Sequence, residues 1–200
     1  MSLREHSIYD CIINNARNYP DEIAIVSGDL HLTYGEVPLH VNSLARGMQN
    51  KGFEKGDRIG VLLNNCSEYV LLQAACSIIG LITVCLNPRT SADEMRKMLE
   101  KAKPKALIFQ KNFELQADEL RELNIHRQLY SIDEASILSS SFDQLLDEDP
   151  SPLTESQPAV DEGWLIIPTA AVDGVPKGAL LSQRNVMAAA DVHLHHFGRE

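Results

Sequence analysis

No lysine or arginine occurs anywhere between Gln128 and Pro176. The same window holds ten acids: Asp133, Glu134, Asp143, Asp147, Glu148, Asp149, Glu155, Asp161, Glu162 and Asp173. The chain carries 28 acidic and 18 basic residues, so these ten account for the whole net charge of −10. The rest of the chain is neutral, with 18 acids against 18 bases, which argues against a nucleic-acid surface. A solvated connection accounts for the acidic run. No stretch of 18 apolar residues is present to span a membrane. The amino terminus, Met1-Ser-Leu-Arg-Glu-His, lacks the apolar core of a signal peptide. Cys11, Cys66, Cys76 and Cys85 form no C-x-x-C pair, and three of them sit in apolar runs. Buried free thiols in a reducing, cytoplasmic setting fit that pattern. There is no G-x-G-x-x-G and no Walker A sequence, so neither a dinucleotide fingerprint nor a P-loop is expected.

What is present is alternation of helical and strand patterns. Ser7 and Asp10 cap a helix over Ser7–Asn18, whose apolar face is Ile8, Cys11, Ile12 and Ala16. Ile23–Val26 and Leu30–Leu32 flank Ser27-Gly28-Asp29, a hairpin signal with His31 exposed on its second strand. Thr33-x-x-Glu36 is a capping box, followed by Val37, Val41, Leu44, Ala45 and Met48 at helical spacing up to Gly52. Pro38 is expected one turn inside that helix, distorting it. Arg58–Asn64 reads as a buried strand, and Ser67 as the cap of a buried helix over Tyr69–Ile79 closed by Gly80. Ile82–Leu86 is an inner strand. Ser91-x-x-Glu94 starts a helix lined by Ala92, Met95, Met98, Leu99 and Ala102 and stopped by Pro104. Ala106–Phe109, Phe113–Leu123 and Gln128–Ile132 read as strand, helix and strand. Asp133–Glu162 predicts an irregular, mobile connection with one helical turn near Phe142–Leu146.

Strands alternating with helices imply an α/β fold: a mixed, largely parallel sheet with helices on both faces. The expected organisation is an α/β subdomain over 1–132, an acidic irregular connection over 133–162, and, over 163–200, a strand, a phosphate loop and a helix that begin the next part of the same domain.

The final stretch carries the candidate chemistry. Trp164–Ile167 is a short strand, Pro168–Gly178 a loop with two glycines, two prolines and one lysine, and Ala179–Leu181 a second apolar run. Ser182 stands at an N-cap position. A strand feeding a glycine-containing loop with one lysine can hold phosphate through inward backbone N–H groups and the ammonium charge. A surface turn is the structural alternative. His193, His195 and His196 do not share one helical face, and only Asp191 is near them, so no metal site is expected.

The loop resembles the phosphate loop of the adenylate-forming superfamily, Thr-Ser-Gly-Thr-Thr-Gly-x-Pro-Lys-Gly followed by Ser/Thr-His-x-Asn. Thr169, Gly174, Pro176, Lys177 and Gly178 match it, as do Ser182 and Asn185. Ala170, Ala171, Val172 and Asp173 depart from it, and Gln183 replaces the histidine. At about 4 Å and an effective dielectric near 20, Asp173 would repel one phosphate charge by about 4 kcal/mol before screening. The resemblance extends upstream in order: Pro20-Asp21-Glu22-Ile23-Ala24, Leu32–Val37, Asn42–Ala45, Gly52 to Gly56-Asp57, Leu63-Asn64 to Glu68, and Leu86-Asn87-Pro88-Arg89. It implies the large N-terminal domain of an acyl-CoA synthetase-like fold. It further implies an ATP-dependent acid–thiol ligase that activates a carboxylate, a fatty acid, as acyl-AMP and passes it to CoA. ATP, Mg²⁺ and CoA belong to the full-length enzyme, whose adenine contacts, Mg²⁺ glutamate and C-terminal lysine follow this loop in the family. The 200 residues then read as an N-terminal piece with no catalytic residue of its own, inactive alone. Two alternatives stay open: a degenerate, non-catalytic nucleotide-binding or assembly module, and the adenylation domain of a peptide synthetase.

Overall fold

The computed structural model describes residues 6–121, 128–133, 135, 139–154, 157–169 and 177–197. Helix α1 (Ile8–Asn18) starts at a complete capping box: the Ser7 N–H donates to Asp10 Oδ2 (2.9 Å) and the Asp10 N–H to Ser7 Oγ (3.0 Å). Strands β1 (Ile23–Ser27) and β2 (Leu30–Thr33) form the expected hairpin around Gly28, whose φ of 59° needs a residue without a side-chain penalty.

Helix α2 (Val37–Asn50) begins later than the capping box suggests. The reciprocal Thr33–Glu36 bonds exist (2.8 and 3.3 Å), but they close a turn ahead of the helix. Pro38 lies in the first turn of α2. Its ring would clash with the Tyr34 carbonyl if the helix ran back through Tyr34, so the helix starts where proline has no donor to lose.

β3 (Arg58–Leu62), β4 (Ile82–Cys85), β5 (Ala106–Phe109), β6 (Leu129–Ser131) and β7 (Ser140–Ser141) alternate with α3 (Ser67–Ile79), α4 (Ala92–Ala102) and α5 (Glu114–Arg121). Then come β8 (Gly163–Thr169), β9 (Lys177–Ser182) and α6 (Gln183–Phe197). The strands β7-β6-β5-β3-β4-β8-β9 form one seven-stranded sheet, parallel throughout except for the β8–β9 pair. β3 stops at Leu62, two residues short of the expected strand. The cap of α3 is Cys66, which makes no side-chain cap bond; Ser67 is the first helical residue and its hydroxyl donates to Glu68 Oε2 (3.0 Å).

Alternate residues of each strand feed two cores. Ile59, Val61, Ala106 and Ile108 pack under α2 and α3, where Val41, Leu44, Met48, Leu72 and Ala75 are buried. Leu62, Leu107 and Phe109 pack under α4 and α5 with Met95, Met98, Leu99 and Leu120. Burial on both faces is why these strands read as apolar runs.

The connection from 133 to 162 departs most from the sequence expectation. Besides the 3₁₀ turn Phe142–Leu145, it contributes strand β7, and its described part is fastened to α2. Phe142 and Leu145 are buried. Asn42 Nδ2 donates to the Pro150 carbonyl (3.0 Å), Ser43 Oγ to the Asp147 carbonyl (2.6 Å), and Arg46 to the Asp149 and Ser151 carbonyls (3.2 and 2.9 Å). Four carbonyls of the segment, those of Asp147, Asp149, Pro150 and Ser151, are thus held by one helix. Periodicity cannot reveal this, because the partners are side chains about a hundred positions earlier.

The acids in this connection have structural partners. Hydrogen bonds from Ser151, and then Arg46, hold the Asp149 carboxyl below its ordinary range. Arg184 does the same for Asp161, and Lys55 and the Ala159 N–H for Glu162. Their folded values are depressed, so the stabilisation is present above the unfolded carboxylate range near pH 4 and is lost as pH falls through the folded values. Hydrogen exchange over 147–162 is therefore expected to speed up relative to β3 and β5 as pH drops from about 5 to about 3, after correction for intrinsic rates. An unchanged ratio would show that these ion pairs do not hold the segment.

Candidate functional site

The candidate residues stand on the β8–β9 hairpin at one end of the sheet. β8 enters it beside β4, with Thr83 opposite Leu165 and Val84 opposite Ile166. Trp164 anchors the strand: it is buried, and its indole N–H donates to the Gln73 carbonyl in α3 (2.9 Å). Beyond Ile166 only β9 pairs with β8. Pro168 can therefore sit in the strand without breaking a ladder bond on the β4 side.

The expected loop Pro168–Gly178 is shorter than its composition suggests. Pro168 pairs with Gly178 and Thr169 with Lys177, so the strands continue to the last described residues on either side. Thr169 Oγ1 donates to the Lys177 carbonyl (3.2 Å). Thr169 and Lys177 are both exposed and pair at the end of the hairpin that residues 170–176 connect. Gly178 has a packing role as well: a Cβ built there would come within 2.6 Å of Ile166 Cγ2. Gly174 and Pro176, and the departures Ala170 to Asp173, lie outside the described residues. Of the five residues matched to the phosphate loop, the structure thus brings together Thr169, Lys177 and Gly178.

The base of the hairpin is fixed separately. Ser182 caps α6: its N–H donates to Asn185 Oδ1 (2.9 Å) and the Asn185 N–H to Ser182 Oγ (3.3 Å). Gln183, almost fully buried, accepts from the Ile8 N–H through Oε1 (2.9 Å) and donates to the Ser77 carbonyl through Nε2 (3.1 Å). It thus satisfies a free donor at the start of α1 while tying α6 to α3. Arg184 adds a two-pronged ion pair with Asp161 (2.5 and 3.0 Å). The clamping role of Gln183 carries no local sequence signal, because both partners are distant in the chain.

A cavity of about 420 Å³ opens at the carboxyl ends of β3, β4 and β8, lined by Asn65, Cys66, Tyr69, Cys85 and Ile167. β3 leads to α3 on one face of the sheet and β4 to α4 on the other, so the strand ends diverge there; such switch points are where open α/β sheets take ligands. The Cys66 thiol is not activated. Burial pushes Cys66 up to about 11, and Tyr69 is raised by burial and by the Cys85 thiol beside it. Alkylation of Cys66 at neutral pH is accordingly expected to be about a hundredfold slower than that of an unperturbed thiol, given the ordinary value of 9.0. Peptide mapping after iodoacetamide treatment of the folded protein checks this; labelling at the rate of a free thiol would contradict it. Among the described residues, no group of three or more His, Cys, Asp or Glu could hold a metal ion, and no helix is long and apolar enough to cross a membrane.

An open, mostly parallel sheet covered on both faces and ending in an antiparallel hairpin defines an α/β protein. The family of AMP-binding enzymes matches residues 12–199, and the chain belongs to that family. It is 34% identical over 116 residues to the mitochondrial medium-chain acyl-CoA ligase ACSF2 of Homo sapiens, covering 57% of this chain and 19% of that protein. It is 28% identical over 192 residues to the medium-chain fatty-acid–CoA ligase of Escherichia coli K12, covering 92% of this chain and 34% of that one. A solved structure from Rhodopseudomonas palustris CGA009, assigned as a long-chain-fatty-acid CoA ligase, superposes with a TM-score of 0.87 at 30% identity, covering 97% of this chain and 49% of that one. The chain thus spans between about a fifth and a half of the length of these relatives.

Proposed function

We propose that this chain supplies the phosphate-binding hairpin of an AMP-forming carboxylate–CoA ligase acting on a medium- or long-chain fatty acid. The observation that carries the reading is the pairing of Thr169 with Lys177 where an anchored hairpin meets its connecting segment, in a chain of the AMP-binding family. Lys177 would neutralise and orient the β- and γ-phosphates of ATP while the carboxylate attacks the α-phosphorus and pyrophosphate leaves. The CoA thiol would then attack the acyl carbon and AMP would leave. Mg²⁺, when bound, screens the remaining phosphate charge. An exposed ammonium on a rigid ladder, with no ion pair among the described residues, fits a polyphosphate ligand. The relatives named above supply the acid class. Four free cysteines suit a reducing compartment, the cytoplasm among them.

The departures Ala170 to Asp173 favour a second reading, a non-catalytic module that has lost nucleotide affinity. Calorimetric titration of the full-length protein with ATP–Mg²⁺ separates the two: saturable binding is expected, and its absence in the folded protein would favour the second reading. The purified 200-residue chain alone is expected to give no carboxylate-dependent release of pyrophosphate, because it covers about a third of the E. coli relative's length. Pyrophosphate release would show that these residues suffice for the first half-reaction.

A further inference from the structure

A second cavity, of about 280 Å³, lies between α1, the β1–β2 hairpin and α3. Its walls are apolar: Ile8 and Ile12 from α1, Ile25 from β1, Leu71 and Ala74 from α3, and the Trp164 indole from β8. No residue lining it carries a charge. Uncharged polar groups come from Asn15, Tyr34 and Gln73. Trp164 stands near the start of β8, five residues from Thr169, which places the cavity about 16 Å along the strand from the hairpin mouth. The phosphate-binding reading makes no use of it.

We propose that this cavity is a binding site for an uncharged molecule with an unbranched apolar body and one polar end, of the size of a medium-length alcohol. A charged end group is disfavoured inside, since no opposite charge lines the walls. Size limits the ligand too. A water-sized group takes about 30 Å³, so the space holds about nine such groups. Water there is poorly held by aliphatic walls, and its replacement by hydrocarbon is favourable. The ligand would bridge α1 and the hairpin to α3.

The protein carries its own reporter. Trp164 is the only tryptophan in the sequence and forms part of the wall, and Cys11 lines the cavity from α1. Titration of the folded chain with 1-hexanol, 1-octanol, 1-decanol and 1-dodecanol is expected to give a saturable change in Trp164 emission. Affinity should rise about fourfold per methylene, from about 0.8 kcal/mol of transfer per CH₂, and level off between octanol and dodecanol as the space fills. Octanol should also slow alkylation of Cys11 by N-ethylmaleimide, and Cys11→Phe, which fills the space, should abolish the saturable response. A linear, unsaturable response would overturn the proposal, as would affinity that keeps rising past dodecanol or binding unchanged in folded Cys11→Phe. If Cys11→Phe does not fold, the wild-type thiol decides: Cys11 alkylated equally fast at saturating octanol places any bound alcohol elsewhere.

Discussion

Gly47→Ala is expected to destabilise the protein by about 3–5 kcal/mol, although helix propensity alone would make it stabilising by about 1 kcal/mol. Gly47 is buried in the interior of α2, where alanine would ordinarily be the better helix former. A Cβ there would overlap the Leu145 carbonyl oxygen and come within 2.7 Å of the Leu145 carbonyl carbon and 2.9 Å of the Leu146 carbonyl carbon. Backbone atoms cannot swing aside as a side-chain tip can, so the whole 3₁₀ turn must lift from the helix. Overpacking of this kind costs about 1–3 kcal/mol. Lifting the turn also exposes part of Phe142 and Leu145, each worth about 1.5–3 kcal/mol when fully buried. Urea unfolding of wild type and variant measures the difference. Leu145→Ala, which removes a fully buried side chain from the same turn and leaves the backbone contact with Gly47 in place, should cost about 2–5 kcal/mol. A Gly47→Ala protein as stable as wild type would mean that the connection does not rest on α2 in solution.

The second large effect concerns nucleotide binding. Lys177→Ala is expected to weaken ATP–Mg²⁺ binding by about one to two decades, the worth of one charge-assisted hydrogen bond of about 1.5–3 kcal/mol. The fold should survive, because Lys177 is exposed and its ladder partner is the Thr169 backbone, which the substitution leaves in place. Asp173→Thr is expected to act in the opposite direction, removing a negative charge from the loop sequence and restoring the hydroxyl of the resembling family. Both effects should shrink as salt is raised through about 0.1–0.5 M, where the screening length falls below about 10 Å. Calorimetric titration of the three proteins at two salt concentrations checks the pair. Equal affinity in wild type and folded Lys177→Ala would show that the ammonium does not touch the phosphates.

The elements of the parallel sheet were legible because their strands are buried on both faces and their helices carry local punctuation: the Ser7–Asp10 and Ser91–Glu94 boxes, and Gly80 with its φ of 71°. Where a local rule misled, a neighbour in sequence decided otherwise, as when Pro38 postponed the start of α2. Gly178 was legible as part of a motif, while its contact with Ile166 was not, because cross-strand register is not written in composition.

Sequence by itself determined the α/β class, the order of elements up to β6, the family resemblance and the candidate lysine. These depend on periodicities of two and 3.6 residues and on short-range capping, all contained within a few positions. Tertiary structure alone decided that the acidic connection is strapped to α2 by Asn42, Ser43 and Arg46. It alone decided that Gln183 clamps α1 to α3 and that Thr169 faces Lys177 as a ladder partner. The straps on α2 and the Gln183 clamp join polar groups distant in the chain, and a hydrogen bond between distant residues leaves no periodic trace in the sequence; Thr169 and Lys177 are only eight positions apart, and their pairing depends on cross-strand register, which composition does not carry.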